Sequence, residues 1–344
     1  MPLHCCGMTA SRSLLATFLS ALFAVAAHAS PWPKITVAAD GSGAFRSVQA
    51  AIDSAPHGHV ILLLKPGRYY EKLHITAPDV ELKGTGARPE DTLLTYDDSA
   101  GRAGGTNKSA TLTVTGDGFR ASNLTIENNF EELHGRTEQG AQAVALMITS
   151  DRAVLQHVRL LGYQDTLWAG SRSCHVDDAR QQKQPCQASR QLYKDCYIAG
   201  HVDFIFGDAK AVFDHCELHG RKHSTVMMTA QSRLYPAEDS GYLFLDCTVT
   251  GEPGIGELVL GRPWRPYATV VFVHLKVKGV TIAPAGWSEW AGKLATSTYE
   301  EYDTGPGDDI SHRIAPSRQL TKAEAKKLTI DAWLGGNDHW KPRV

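Results

Sequence analysis

No apolar run of 18 residues occurs beyond the first 29 positions of this 344-residue sequence, so nothing later in it reads as a membrane-spanning helix. Basic stripes and basic amphipathic segments are missing too. Setting Arg12 aside leaves 34 basic against 37 acidic side chains, which gives nucleic acid or a membrane surface nothing to hold. Cysteine and histidine never fall at zinc-site spacing, and no metal or other cofactor is expected. There is no low-complexity linker, hence no second domain, and helical patterning is confined to the ends of the chain. Residues 1–29 read as a cleavable signal peptide: one charge at Arg12, an apolar run from Leu14 to Ala27, and Ala27-His28-Ala29 as a small-x-small cleavage site near Ala29/Ser30. The expectation is a secreted or periplasmic protein. A retained N-terminal anchor is the alternative.

What fills residues 30–344 is a repeat. Phe119–Ile126, Val154–Gly162, Leu192–Gly200, Val212–Leu218, Leu243–Val249 and Val271–Val277 share one pattern, with centres at Leu124, Val158, Cys196, Cys216, Cys247 and Leu275. The intervals of 34, 38, 20, 31 and 28 residues suit a coil of short strands and are too short at the minimum for a βαβ unit. Each repeat alternates apolar residues and ends on a turn signal such as Gly162, Gly200, Gly220 or Gly251. A second short apolar strand usually follows, as in Thr166–Trp168, Phe204–Phe206, Val226–Met228 and Leu258–Leu260. A β-sandwich also spaces strands regularly, but it need not repeat residue classes at matching offsets. The fold class expected is all-β: a single-stranded right-handed parallel β-helix. An amphipathic helix over Phe45–Ala55 caps its N-terminal end. A C-terminal tail from about residue 300 carries a short helix that starts at the Thr321/Glu324 capping box.

Superimposing Val158 on Cys196 places Asp165 and Asp203 at the same offset, seven residues on. Equivalent positions on successive coils stack about 4.8 Å apart. Two carboxylates so close do not both ionise cheaply, which marks them as a candidate acid and nucleophile. The competing reading is that each is a turn cap.

Five cysteines follow the leader. Cys196 and Cys216 are centres on consecutive coils, within disulfide reach, and their bond is favoured over the alternative that both are small core residues. Cys174 and Cys186 bracket a polar loop they could close, and Cys247 is left as a buried thiol.

Four segments carry a resemblance: Gly140–Leu146 (GAQAVAL), Gly162–Leu167 (GYQDTL), Asp203–Gly207 (DFIFG) and Leu260–Trp264 (LGRPW). In that order they closely resemble the signature segments of the pectin methylesterases, carbohydrate esterases on a right-handed parallel β-helix. Gly67–Glu71, Ser109–Thr111, Gly116–Phe119 and Pro284–Trp290 extend the likeness over Ile35 to Trp290. The resemblance implies hydrolysis of the C6 methyl esters of pectin, a polygalacturonate, by a monomer without cofactor. It implies that Asp203 is the nucleophile, that Asp165 is the general acid and then base, and that Gln142 and Gln164 hold the oxyanion. Arg262 then orients Asp203, for which a forked guanidinium is well suited. Phe206, Trp264, Trp168 and Trp287 are implied as substrate contacts. The sequence departs from the family at Trp168, commonly tyrosine, and in Ala169–Arg190, which is longer and more polar than the plant pattern.

Overall fold

The computed structural model describes residues 32–136, 139–172, 187–304 and 310–344. The leader, its cleavage motif, Cys174 and Cys186 lie outside these residues.

Every strand pairing among the described residues is parallel, and successive coils lie in register. In one coil the strands Lys210–Asp214, Glu217–Gly220 and Thr225–Gln231 sit under Gly241–Leu245, Thr248–Gly251 and Glu257–Gly261 of the next. The pairs Lys210↔Gly241, Glu217↔Thr248 and Thr225↔Glu257 fix that register. This is the expected parallel β-helix. One of its faces is a seven-stranded sheet running from Leu73–Ile75 to Glu257–Gly261, and it contains the short strands Leu146–Ile148, Leu167–Ala169 and Ile205–Gly207.

Each repeat bends just before its centre. Asn123, His157, Asp195, His215, Asp246 and His274 all take positive φ, between 51° and 56°. Left-handed backbone is tolerated best, after glycine, by Asn, Asp and His, and that preference explains the residue types. The bend turns the following centre residue into the core, where all six centres are buried.

Side chains at matching offsets then stack. Tyr193, Phe213, Phe244 and Phe272 form an aromatic column with centroids 4.6, 4.5 and 4.5 Å apart and ring planes within 16° of parallel. Each such pair contributes on the order of 1 kcal/mol beyond burial. Beside it, Cys196, Cys216 and Cys247 form a sulfur column, and here the expectation of a Cys196–Cys216 disulfide is corrected: all three are free thiols. In-register stacking aims their Cβ–Sγ bonds the same way rather than at one another, and a disulfide needs them turned together. Each thiol instead donates to a carbonyl of the preceding coil: Leu155 at 3.6 Å, Tyr193 at 3.3 Å and Phe213 at 3.3 Å. Burial pushes the Cys196 and Cys216 thiols far up, away from reactive thiolate.

Both ends follow the sequence. The N-terminal helix is Val48–Asp53, capped by Ser47, with Val48, Ala51 and Ile52 buried over the first coil. Glu71 accepts from the Val48 and Gln49 N–H groups and satisfies the helix's open donors. The C-terminal helix is Lys322–Ala325 with the Thr321/Glu324 capping box formed. A second helix, Ile330–Leu334, was not expected. Together they cover an outward apolar stripe of Val154, Leu192, Val212, Leu243 and Val271 with Leu320, Ala325 and Leu334. Arg190 pins this tail by bonding Asp151 on the coil and Asp338 beyond the second helix.

Candidate active site

Asp165 and Asp203 each sit just before a strand of the seven-stranded sheet. The pairs Leu167↔Ile205 and Trp168↔Phe206 put the two aspartates at equivalent positions on neighbouring coils. Both have left-handed backbone, φ 64° and 51°, immediately after the turns that start at Gly162 and Gly200. The Asp165 N–H donates to the Val202 carbonyl at 3.0 Å and ties one turn to the other. Both side chains open onto one cleft of about 470 Å³, together with Gln142, Gln164 and Arg262. The geometric expectation from the repeats therefore holds.

Arg262 follows the strand Glu257–Gly261 and reaches back across two coils. Its Nε donates to Asp203 Oδ1 at 2.9 Å and its Nη2 to Oδ2 at 2.6 Å, a two-pronged fork. Asp203 is buried, with 7% of its surface exposed. Burial pushes its carboxyl above the ordinary aspartate range, and the guanidinium pulls part of the way back. A proton on Asp203 must displace one of two short guanidinium bonds, so the fork favours the carboxylate. Its raised basicity makes that carboxylate the stronger nucleophile.

Gln142 and Gln164 are half-buried at the cleft. Their backbone is held: Gln142 O accepts from Ala100 N at 2.8 Å, and Gln164 O from Ala143 N at 3.2 Å. Among the described residues neither side-chain amide has a hydrogen-bond partner, which leaves both able to donate to a ligand oxygen.

The aromatics divide into two groups. Phe206 and Trp264 line the cleft, their centroids 5.9 Å apart. Trp168 lies behind them, 5.0 Å from Phe206 and 6.4 Å from Trp264, with only 2% of its surface exposed. It supports the cleft and does not line it. Trp287 is a plain correction. It is 1% exposed, stacked 4.1 Å from Tyr299, and its Nε1–H donates to buried Glu301 at 3.0 Å. Trp290 lines the cleft in its stead, beside Trp264, with its ring 4.0 Å from the Arg262 guanidinium.

Sequence reasoning also passed over the wall formed by Ala100, Gly105 and Thr106. It missed His201 as well, which is 1% exposed. His201 Nδ1 accepts the Val202 N–H at 2.7 Å, so Nε2 carries the proton and donates to Glu131 at 2.9 Å. This steadies the segment that carries Asp203. Gly207 closes the same segment with φ 114°; a Cβ there would lie 2.2 Å from the Ala169 carbonyl oxygen.

Asp214, His215 and Asp246 come close enough to share a cation, but they lie on the bend column away from the cleft. Asp214 already bonds Lys194 Nζ at 2.6 Å.

The sequence profile of the Pectinesterase family matches residues 34–337. Pectinesterase 31 of Arabidopsis thaliana is 34% identical over 307 residues, 85% of this chain and 89% of its own length. The chain spans about half (53%) of a longer relative from that plant, a probable pectinesterase/pectinesterase inhibitor. Among solved structures, pectin methylesterase from carrot is similar with a TM-score of 0.78 and 29% identity, over 90% of this chain and 96% of that one. A D178A mutant of pectin methylesterase, in complex with a hexasaccharide, is similar with a TM-score of 0.73 and 26% identity, over 90% and 98%. With a coiled scaffold, a forked arginine–aspartate pair and a relative 34% identical along most of both chains, this chain belongs to the pectinesterase family of carboxylic ester hydrolases.

Proposed function

We propose that this protein is a secreted pectin methylesterase, which converts C6 methyl esters of polygalacturonate to free carboxylates and methanol through a covalent aspartyl intermediate. The observation that carries the reading is the cleft in which Arg262 grips both oxygens of Asp203 while Asp165 stands at the same register one coil away. The hexasaccharide bound by the structural relative supports an oligosaccharide in the equivalent groove.

In this mechanism an Asp203 oxygen attacks the C6 carbonyl carbon, and the carbonyl π electrons move onto oxygen. Gln142 and Gln164 donate N–H groups to that oxyanion. Being neutral, they stabilise it without quenching the nucleophile. The C6–OCH₃ bond breaks as Asp165 passes its proton to the departing oxygen, so methanol leaves and an acyl anhydride joins C6 to Asp203. Asp165, now a carboxylate, takes a proton from water. The hydroxide attacks C6 and the C6–O bond to Asp203 breaks, which returns Asp203 as a carboxylate, leaves Asp165 protonated for the next turnover, and frees the sugar's C6 carboxyl, whose proton passes to solvent. Phe206 and Trp264 offer apolar faces to the sugar rings.

Secretion rests on the Leu14–Ala27 run and the Ala27-His28-Ala29 motif. N-terminal sequencing of exported protein tests it, with Ser30 the expected first residue.

The activity is tested by following methanol, new reducing ends and unsaturated product together on methylated pectin. Methanol alone is expected. Reducing ends without methanol would mean glycosidase chemistry, and ultraviolet-absorbing product would mean a lyase.

A further inference from the structure

Gln142, in the proposed mechanism a donor to the oxyanion, stands on a stretch of chain that belongs to no strand. The strand that follows, Leu146–Ile148, begins four residues later. Coil register therefore does not set its position, and another device must. We propose that Asn128, buried at the end of the strand Arg120–Asn128, is a positioning residue that places Gln142 for the reaction. This rests on the esterase reading and adds to it the group on which the oxyanion donor depends.

The physical case is the convergence of three backbone segments on one side-chain amide. Asn128 is 1% exposed. Its Nδ2 donates to the carbonyls of Asp98 at 2.9 Å, Ser109 at 3.1 Å and Val144 at 3.1 Å, and its Oδ1 accepts the Phe130 N–H at 3.1 Å. Two hydrogens serve three carbonyls, so one of the bonds is three-centred. Two of these carbonyls bracket Gln142. Val144 lies two residues after it. Asp98 leads through the cap residue Ser99 to Ala100, whose N–H donates to the Gln142 carbonyl at 2.8 Å. The third segment adds a tie of its own: Ser109 Oγ accepts the Val144 N–H at 3.2 Å and donates to the Thr106 carbonyl at 2.8 Å.

Gln142 is thus held from both sides by backbone that one amide gathers, while its side chain faces the cleft. Only a neutral NH₂ group suits this place. A carboxylate would set oxygen against three carbonyl oxygens, and a hydroxyl has one hydrogen to give. Loss of the amide leaves buried carbonyls short of a donor, and the irregular stretch around Gln142 is the one held least by ladder bonds. A misplacement of about 1 Å in such a group costs on the order of a hundredfold in rate.

The test is a double-mutant cycle read in kcat. Asn128→Ala is expected to lower kcat on methylated pectin about ten- to a hundredfold and to leave KM unchanged, because an oxyanion donor acts in the transition state. In a Gln142→Ala background the same substitution is expected to change kcat by less than about twofold, since the group it places is already gone. Ser109→Ala is a smaller change that keeps the Asn128 amide. It is expected to cost about two- to fivefold by the same route, and it carries the cycle if Asn128→Ala does not fold. A full further loss in the Gln142→Ala background, or a rise in KM that accounts for the loss, overturns the positioning role. A crystal structure of whichever variant folds is expected to show Gln142 displaced by at least about 0.5 Å with Asp203 and Arg262 in place, and an unmoved Gln142 overturns the role as well. Absence of methanol with wild type overturns the esterase reading instead, and the crystal structure still decides whether Asn128 places Gln142.

Discussion

The Arg262 guanidinium sits over the Trp290 ring, 4.0 Å from its centroid, while its N–H groups grip Asp203. The cation that grips Asp203, the nucleophile of the proposed mechanism, is thus itself packed against a ring. Trp290→Ala removes the ring and leaves every hydrogen bond in place. We expect kcat to fall about tenfold, the scale of a partly desolvated cation–π contact. Trp290→Phe should restore much of it, and a steady-state comparison of the two variants checks this.

Trp287, three residues earlier, should behave in the opposite way. Its ring stacks on Tyr299 with Phe272 tilted against it, and its Nε1–H meets Glu301, which Arg313 also holds at 3.0 Å. Trp287→Leu is expected to cost about 3 kcal/mol of stability through lost volume. KM for pectin should stay as in wild type. Denaturant unfolding and initial rates on the same sample separate the two effects.

Burial raises Asp203 above the ordinary aspartate value, and in the proposed mechanism Asp203 must be ionised to attack. The acidic limb of kcat/KM should therefore lie above the usual carboxylate range, with activity growing as pH rises through it. Arg262→Gln removes the group that opposes burial, so the limb should move further up in pH as the rate falls. A limb left in place by that change would contradict the role given to the fork.

Asp208 offers a linkage test away from the chemistry. Burial, aided by the Glu238 charge, pushes it up to about 7, although Ser171 N–H donates to it at 2.7 Å. The folded state holds this proton more tightly than the unfolded chain does. Its contribution is therefore complete below about pH 4 and is lost as pH rises toward 7. Asp208→Asn keeps an acceptor for Ser171 and carries no charge to bury. We expect it to be more stable than wild type at pH 8, by on the order of 4 kcal/mol at most, and close to wild type near pH 4. Thermal unfolding across that range reads the difference.

The repeat and the aspartate pair were legible because coil register converts sequence offset into spatial neighbourhood. Asp165 and Asp203 could be matched without any coordinates. The bends were equally present, as Asn123, His157, Asp195, His215, Asp246 and His274 each precede a centre, but they were not read as left-handed positions. The resemblance pointed to Trp287 and passed over Trp290, because a motif names residues without saying which of them the fold buries. The cysteine pairing failed on direction rather than distance: stacked side chains run parallel. The tail's packing was hidden for another reason. Runs such as Leu243-Phe244-Leu245 are apolar on both faces, and sequence does not reveal what covers the outer one.

Methanol release from methylated pectin by Asp203→Asn is the most direct test of the central claim. Asparagine keeps the shape of the side chain, loses the nucleophilic carboxylate, and removes the charge that Arg262 grips. With unchanged circular dichroism, the account predicts a fall of at least about a thousandfold in kcat, the scale of a lost covalent step. Release at a rate near that of wild type would contradict it.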